Sequence, residues 1–375
     1  MPVMENRTMR SFPTASIRQL APFALALQCL WQAVPARAQA RPDSPVSIHG
    51  YLTQGFARAW GNPIAGAPDG ASTLDYRSVA LQVGYSFTAL DKLVVQLSHR
   101  RLGTSILEGD ANTINLDWGF YERRVLGEGS IRLGKLPLPR GLFNEIRHVG
   151  TALPFYRAPL TIYFESAETI DGAAVGYRFF AHEPWSMQAE VFGGGYQFDY
   201  VRHEPQESFV ESIHARSVHG AQLWLDAPMP GTRVGLGGQR YRHDGADDPT
   251  WYSTWQLSGE FLWNRVTGRA EYVQADSRGY SYEAVQAQVG YRLLERLTFN
   301  VQGEYGDVFV TFPGAELTVD YARDLAGGLV WSVWANTALK FELHGFEGHA
   351  LDRYTGFQGP PGRSTYFIAS LAVGF

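Results

Sequence analysis

Apolar and polar residues alternate along most of the chain. In the segment Tyr76–Phe87, Val79 and Leu81 fall on one side, and Ser78 and Gln82 fall on the other. Successive side chains of a β-strand point to opposite faces, and helical spacing fits this pattern poorly. The alternation recurs throughout the sequence, in Leu93–Arg100, Thr254–Trp263, Val285–Arg292, Leu297–Glu304 and Leu339–His344. The pattern predicts an all-β protein whose strands have one apolar and one polar face.

The final alternating segment ends the chain on an aromatic residue. Within Ser364–Phe375, the residues Phe367, Leu371 and Val373 lie on the same side as Phe375. A strand of this kind is typical of a barrel wall that separates lipid from water. The terminal phenylalanine resembles the sorting signal of bacterial outer-membrane barrels. That resemblance implies that the barrel-assembly machinery recognises Phe375.

The number and spacing of the alternating segments indicate a closed barrel. We count about sixteen segments, and single-chain bacterial outer-membrane barrels have an even number of strands. Short links such as Leu126–Gly127 alternate with long ones such as Trp60–Leu74, Gly194–Ile213 and Gly345–Arg363. Short turns on one side and long loops on the other are typical of these barrels. We therefore predict a transmembrane antiparallel up-and-down β-barrel of about 16 strands, with both chain ends on the short-turn side.

The composition supports this architecture. Glycine (40 residues) and aromatic residues (14%) are frequent, and charged residues make up only 18%, against about 25% in an ordinary soluble domain. After residue 40, no run of about 18 apolar residues occurs, which excludes membrane-spanning helices. A membrane protein without such helices must be a barrel, because its backbone polar groups have to be paired between strands. The predicted location is the outer membrane of a Gram-negative cell.

Residues 1–40 have the pattern of a secretory signal peptide. Arginines precede an apolar core, Leu20–Trp31, and Ala38-Gln39-Ala40 then fits a small-x-small cleavage site. The single cysteine of the chain, Cys29, lies inside this segment, so the exported chain, residues 41–375, has no disulfide. The segment carries four arginines and one glutamate, a net charge of +3, so its removal takes the chain from −5 to −8. This modest negative charge excludes nucleic-acid binding driven by bulk charge.

One predicted link is much longer and more apolar than the others. It runs from Leu136 to Glu168, between a fifth strand at Ser130–Lys135 and a sixth at Thr169–Phe179. An exposed loop with this much apolar surface would be costly, so the link must pack against something. A barrel of about sixteen strands has a lumen wide enough to receive it. We expect residues 136–168 to fold inward and to narrow the pore.

The residues around this link resemble a known family. They are Arg132-Leu-Gly-Lys135, Leu136-Pro137, Arg140-Gly-Leu-Phe-Asn144-Glu145, Arg147, Pro159 and Tyr163. The run is similar to the start of the constriction loop in Gram-negative trimeric porins, which also follows the fifth strand and folds into the pore. The resemblance implies a homotrimer that lets ions and small hydrophilic solutes diffuse passively. It implies no cofactor and no metal.

The resemblance also suggests which charges face the pore. Three arginines occupy inward positions on strands three, four and five: Arg100, Arg123 and Arg132. The porins that the chain resembles set a basic wall against an acidic loop, which here implies a role for Glu145, Glu165 and Glu168, with Arg147 as a basic group on the same loop. Such a transverse field discriminates ions by sign. Alternatively, the arginines form ion pairs or meet lipopolysaccharide and phospholipid near a rim. The basic residues of the loop leave the ion preference open.

The opposite half of the barrel also carries charges at inward positions: Arg269, Glu271, Arg292, Glu304, Lys340 and Glu342. Their mixed signs favour a hydrated wall over a binding site. Sequence motifs of hydrolases, metalloproteases and phosphate-binding loops do not occur, so we predict no enzymatic activity. Two other functions stay open, a substrate-selective channel with a solute-binding site at the constriction, and a structural barrel with a plugged lumen.

Overall fold

A computed structural model describes residues 44–107, 113–163, 166–181, 183–203, 208–243, 250–312, 315–353 and 359–375 of the protein. All of them belong to the compact unit Asp43–Phe375. The predicted signal peptide, residues 1–40, lies outside the described residues. Within the described part of the chain, no helix is long and apolar enough to cross a membrane.

Sixteen strands form one closed antiparallel barrel in which each strand pairs with its neighbours in sequence and the last pairs with the first. The strands are β1 (Val46–Trp60), β2 (Ser72–Ser86), β3 (Asp91–Leu102), β4 (Asn115–Val125), β5 (Gly129–Pro137), β6 (Thr169–Phe179), β7 (Ser186–His203), β8 (Ser208–Asp226), β9 (Arg233–His243), β10 (Trp251–Trp263), β11 (Val266–Ser277), β12 (Tyr280–Leu294), β13 (Leu297–Phe312), β14 (Ala315–Trp334), β15 (Thr337–Gly348) and β16 (Gly362–Gly374). The predicted fold class, strand number and pairing scheme are confirmed.

The alternation of the sequence sets which side chains face outward. On β12, Val285 is 43% exposed and Val289 is 52% exposed, whereas Gln286 between them is fully buried. The same arrangement holds on β10, where Leu257 is exposed and Gln256 is buried. A barrel in lipid needs this polarity, because its outer face meets hydrocarbon and its inner face meets water and polar groups.

The predicted link Gly194–Ile213 is wrong in extent. β7 continues to His203, and β8 starts at Ser208, so most of the predicted loop is a paired hairpin. In this hairpin Tyr196 faces inward, opposite Ala215, and is almost fully buried. Inward aromatic residues reverse the expected polarity of the alternation, so the sequence pattern did not reveal the strand.

The long link after β5 lies inside the barrel. β5 extends to Pro137, two residues beyond the predicted boundary at Lys135, so the link comprises residues 138–168, which we call the inner segment. Its described residues include a 3₁₀ turn, Asn144–Ile146, and a short helix, α1 (Leu160–Tyr163). Most of its described apolar side chains are buried, for example Phe143 and Phe155 at 1% exposure each. Burial against the barrel wall explains how this apolar link avoids water.

Candidate functional site

Carboxylates on three alternate strands hold the backbone of the inner segment. Glu271 on β11 accepts a hydrogen bond from the Leu142 amide at 2.7 Å. Glu304 on β13 accepts one from the Thr161 amide at 2.9 Å. Glu342 on β15 accepts from the Tyr156 amide at 3.0 Å through both oxygens. We call Glu271, Glu304 and Glu342 the anchor carboxylates; hydrogen bonds to charged groups contribute more than neutral ones, so these contacts fix the path of the segment.

A buried lysine of the wall also holds the inner segment, by donating hydrogen bonds to its backbone carbonyls. Lys340 on β15 is 1% exposed, and its ammonium donates to the carbonyls of Leu153 at 3.0 Å and Phe155 at 2.6 Å. These backbone groups would otherwise be unpaired inside the barrel, which is costly. Lys340 and Glu342 lie two residues apart on the same inward face of β15, so one strand provides both a donor and an acceptor for the same turn of the segment.

The ends of the inner segment are tied to each other. Asn144 donates through Nδ2 to the carbonyls of Leu138 at 2.8 Å and Glu168 at 2.9 Å. Arg147 is 5% exposed and donates to the Tyr163 carbonyl at 2.8 Å. The segment therefore folds into a compact loop that satisfies part of its polar groups internally, and the wall satisfies others.

A charged cluster joins the end of the inner segment to β3 and β4. Arg100 contacts Glu168 at 3.0 Å and Asp117 at 2.8 Å. His148 lies 3.0 Å from the Glu168 carboxylate, and Arg147 lies 3.5 Å from it. Burial opposes ionisation of Glu168, but Arg100, His148 and Arg147 outweigh it and hold the pKa of this carboxyl well below its ordinary value. Glu168 is therefore ionised near neutral pH.

A small cavity of about 50 Å³ lies beside this cluster. Its lining includes Arg100, Arg147, His148, Arg157 and Glu168. Basic groups outnumber acidic ones in this set. Asp117, bonded to Arg100 beside the cavity, offsets part of this charge, and three arginines against Glu168 and Asp117 leave a small positive excess that favours small anions.

Comparison with known proteins gives a likeness in fold alone. No family model and no curated protein sequence matches the chain. An anion-selective porin from Comamonas acidovorans superposes with a TM-score of 0.58 at 12% identity, over 88% of this chain and 99% of that one. The fold is that of the outer-membrane porins. The outer membrane channel DcaP of Acinetobacter baumannii gives 0.59 at 11%, covering 88% and 97%, and OmpT of Vibrio cholerae in a trimer form gives 0.54 at 12%, covering 88% and 99%.

In this porin fold, the apolar outer face described above is the surface that an outer-membrane β-barrel presents to lipid. The chain is such a barrel. The inner segment occupies the lumen after the fifth strand, and Lys340 and the anchor carboxylates of the wall contact it. Identities of 10–12% carry no residue correspondence, so the site rests on the geometry of this chain.

The predicted site residues are only partly brought together. Arg100, Arg147 and Glu168 form the cluster described above. Arg132 pairs with Glu190 on β7, and both side chains are largely buried. These residues belong to the same half of the porin barrel, the wall formed by β3 to β7 and the segment that covers it.

Arg123 lies far from this cluster. Arg123 pairs with Asp91 at 3.0 Å beside the short turn after β2, and its side chain is 54% exposed. It shares a face of β4 with Tyr121, which lies opposite the outward Leu133, so the predicted inward position of Arg123 is wrong. Asp91 and Arg100 are nine residues apart on β3, a separation of about 30 Å along the strand. Glu145 is exposed on the 3₁₀ turn, and its charge acts on Glu190, the partner of Arg132. Glu165 lies outside the described residues.

Sequence reasoning missed the role of the anchor carboxylates. It interpreted Glu271, Glu304, Lys340 and Glu342 as parts of a hydrated wall. In the structure each is nearly inaccessible and bonded to the inner segment. The available signal was the apolar inner segment itself, because a segment folded inside a barrel needs polar partners for its backbone.

A second attachment joins two long links, the one after β1 and the one after β15, at the end of the barrel opposite the short turns. Asp352, in the link after β15, accepts from the Gly66 amide at 2.6 Å, and its own amide donates to the Pro63 carbonyl at 3.1 Å. Arg157 of the inner segment donates to the Ala65 carbonyl at 3.0 Å. Burial raises the pKa of Asp352 to about 6. We call this contact between the two links the Asp352 clasp.

Proposed function

We propose that the protein is a porin that lets ions and small hydrophilic solutes diffuse passively across the outer membrane. The observation that carries this proposal is a sixteen-stranded barrel with a polar inner face and an inner segment fastened across its lumen. An open barrel of about this size holds a water-filled channel, and a segment inside it narrows the passage. The names of the similar structures, an outer membrane channel and an anion-selective porin, support the same function.

In this proposal, residues 136–168 form the constriction and charged side chains on both sides of it set the field. Arg100 and Arg132 provide the basic groups of the wall, and each is paired with a carboxylate, Arg100 with Glu168 at 3.0 Å and Arg132 with Glu190. Arg147 supports the loop from within, because it is buried among the loop's own carbonyl groups. Charges across a narrow passage interact strongly and orient dipolar solutes.

Planar-bilayer recording of the purified, refolded protein tests the proposal. Discrete conductance steps are expected. Removal of residues 148–158 should increase the step size, because this part of the inner segment crosses the lumen. A matched control is Leu236→Ala on the lipid-facing side of β9, which should leave the step size unchanged. No conductance at any voltage, or release of fatty acids from phospholipid by the protein, would contradict the proposal.

The basic cavity favours a second function, a substrate-selective channel for small anionic solutes. Arg100, Arg147, Arg157 and His148 surround it with Glu168 as the acidic member. A small anion that binds there would occupy the passage for longer than a freely diffusing ion. Saturable block of chloride current by a dicarboxylate at low concentration is the expected result. A current that falls only in proportion to the viscosity of the solution would favour the non-selective porin.

We also propose the processing and assembly that the sequence implies. Residues 1–40 are removed on export, so Edman sequencing of the outer-membrane form should begin at Arg41. The barrel-assembly machinery recognises Phe375, lipopolysaccharide and phospholipid surround the outer wall, and three copies form a homotrimer. The trimer form of OmpT supports the last statement for a barrel of this fold. Native mass spectrometry should give three times the mass of the mature chain; a monomer at all detergent concentrations would contradict it.

A further inference from the structure

A cluster of basic and aromatic side chains lies on the outer wall of the barrel, at the end opposite the short turns. On β9, the guanidinium of Arg240 lies 5.1 Å from the ring of Trp251, and that of Arg242 lies 4.5 Å from it. The ring of His219 on β8 contacts the same tryptophan edge-on at 5.6 Å. We call His219, Arg240, Arg242 and Trp251 the outer cationic patch. Two arginines of β9 and a histidine of β8 therefore surround one tryptophan of β10.

The alternation of β9 and β10 shows that this patch faces outward. Val234 and Leu236 are 51% and 52% exposed, and Arg240 and Arg242 continue the same face of β9. Trp251 lies opposite Arg242 in the strand register. Both arginines are exposed. The patch is thus outside the lumen and separate from the inner segment.

The two patch arginines lack acidic partners among the residues that the structure describes. The acid across from this patch on the same face is Asp276, which pairs in register with Ser253 beside Arg240. Its carboxylate is already bonded to Ser281 at 2.8 Å and Gln274 at 3.3 Å. Arg240 and Arg242 lie two residues apart on one face of β9, so their positive charges repel each other and an anion beside them would relieve that repulsion.

The height of the patch identifies the anion. β10 has 13 residues from Trp251 to Trp263, and Trp263 borders the short turn at the opposite rim. At about 3.3 Å per residue and a tilt of about 40°, Trp251 lies roughly 30 Å above Trp263. The apolar band of an outer-membrane barrel is about 25 Å tall. The patch therefore lies just above the hydrocarbon, at the level of the lipid headgroups, with Trp255 and Leu257 below it against the acyl chains.

We propose that the outer cationic patch binds the phosphate groups of a phosphorylated glycolipid, lipopolysaccharide, in the outer leaflet. Guanidinium groups match phosphate oxygens through paired N–H donors, and basic clusters at the membrane surface attract anionic headgroups. Trp251 supplies the amphipathic ring that favours this depth. This site is independent of whether the barrel conducts ions, because none of its residues contacts the lumen.

The test uses the full mature protein, folded in detergent, and native mass spectrometry with two lipids, bisphosphorylated lipid A and its dephosphorylated form. The variant is Arg240→Gln with Arg242→Gln. Its matched control is Arg323→Gln, because Arg323 is also an exposed outward arginine but pairs with Asp320 at 2.9 Å. Heat-modifiable migration in electrophoresis confirms that each variant is folded. A third arm measures competition by inorganic phosphate.

We expect the double variant to bind bisphosphorylated lipid A roughly tenfold more weakly than the wild type, with the control unchanged, because charge-assisted hydrogen bonds are lost. The wild type should bind the dephosphorylated lipid as weakly as the double variant binds the phosphorylated one. Equal binding of bisphosphorylated lipid A by wild type and double variant would overturn the proposal. Full displacement of the lipid by millimolar inorganic phosphate would overturn the choice of a lipid ligand. Single-channel conductance of the double variant should equal that of the wild type, which separates this site from the pore.

Discussion

At the scale of single residues, Glu168 has the most consequential contacts of the candidate site. It ends the inner segment, and its carboxylate meets Arg100 from the wall and Arg147 and His148 from the segment. Because these partners lower its pKa, the cluster contributes its stability above the ordinary carboxyl pKa and loses it as the pH falls through lower values. The Glu168 carboxylate therefore joins the end of the inner segment to the wall and places a negative charge beside Arg100.

Replacing the Glu168 carboxylate by an amide of the same size tests the role of its charge alone. Glu168→Gln keeps the side-chain size but leaves Arg100 and Arg147 without their shared acid, so the reversal potential in a salt gradient should shift toward anions. Unfolding should become easier by about 1–3 kcal/mol, because buried charged donors lose a partner. Glu145→Gln is the matched control, since Glu145 is an exposed acid of the same segment. Equal shifts in both variants would show that Glu168 has no special position in the pore.

Asp352 gives a pH dependence with a definite sign. Its pKa is raised to about 6 in the closed clasp, against about 4 in an open link, so protonation favours the closed form. The clasp should be most stable below pH 4, lose up to about 3 kcal/mol as the pH rises to 6, and change little above that.

Hydrogen exchange at the Gly66 amide, corrected for intrinsic rates, measures this stability. Exchange should be slower at pH 4 than at pH 7. Asp352→Asn keeps an acceptor for the Gly66 amide but cannot titrate, so its corrected rates should be the same at both pH values. A pH dependence that persists in this variant would assign the effect to another group.

At the scale of elements, the inner segment and the strands beneath it depend on each other. The segment brings apolar side chains that cannot stay in water, and β11, β13 and β15 bring polar groups that cannot stay unpaired in the interior. Each set provides partners for the other: the Leu142 amide donates a hydrogen bond to Glu271, and the Thr161 amide donates one to Glu304. The lumen is therefore shaped by a fixed internal element, held at several points.

Removing the anchor carboxylates should release the segment. In Glu271→Ala with Glu304→Ala and Glu342→Ala, each lost contact costs about 1.5–3 kcal/mol, so the segment should move and current noise and mean conductance should rise. Gln288→Ala is the control, because Gln288 is a buried wall residue whose described partner is Gln302 on the next strand. Quiet, wild-type conductance in the triple variant would show that apolar packing alone fixes the segment.

At the scale of the whole molecule, the barrel closes between its first and last strands. β1 and β16 pair from Tyr51 with Gly374 to Trp60 with Thr365. The Gly50 amide donates to the Phe375 carbonyl at 2.9 Å, and the Phe375 amide returns a bond at 3.0 Å. Closure removes both free sheet edges, which otherwise pair with other chains. The terminal phenylalanine therefore lies at the seam of the barrel.

Gly50 matters at this seam because the Phe375 ring covers it. A Cβ atom at position 50 would lie 2.4 Å from the ring and 2.7 Å from the Ala80 carbonyl oxygen. Gly50→Ala should therefore strain the seam by about 1–3 kcal/mol and lower the temperature at which the folded band disappears in electrophoresis. Gly303→Ala is the control, since nothing lies within 4 Å of the added atom. An unchanged melting temperature in Gly50→Ala would mean that the ring moves away freely.

The sequence alone determined the barrel, because a period of two in polarity fixes strand faces and an even strand count fixes the topology. It also determined that residues 136–168 must be covered, because so much apolar surface cannot face water. It did not identify Glu271, Glu304 and Glu342 as partners of the segment, since those contacts join residues more than a hundred positions apart. Nor did it separate Arg123 from Arg100, because an irregularity in the β3–β4 pairing at Gln96 and Leu97 reverses the parity along β4 and turns Arg123 outward, and because parity does not give the height of a residue. Only closure of the barrel sets those heights and distances, and so decides which charges meet.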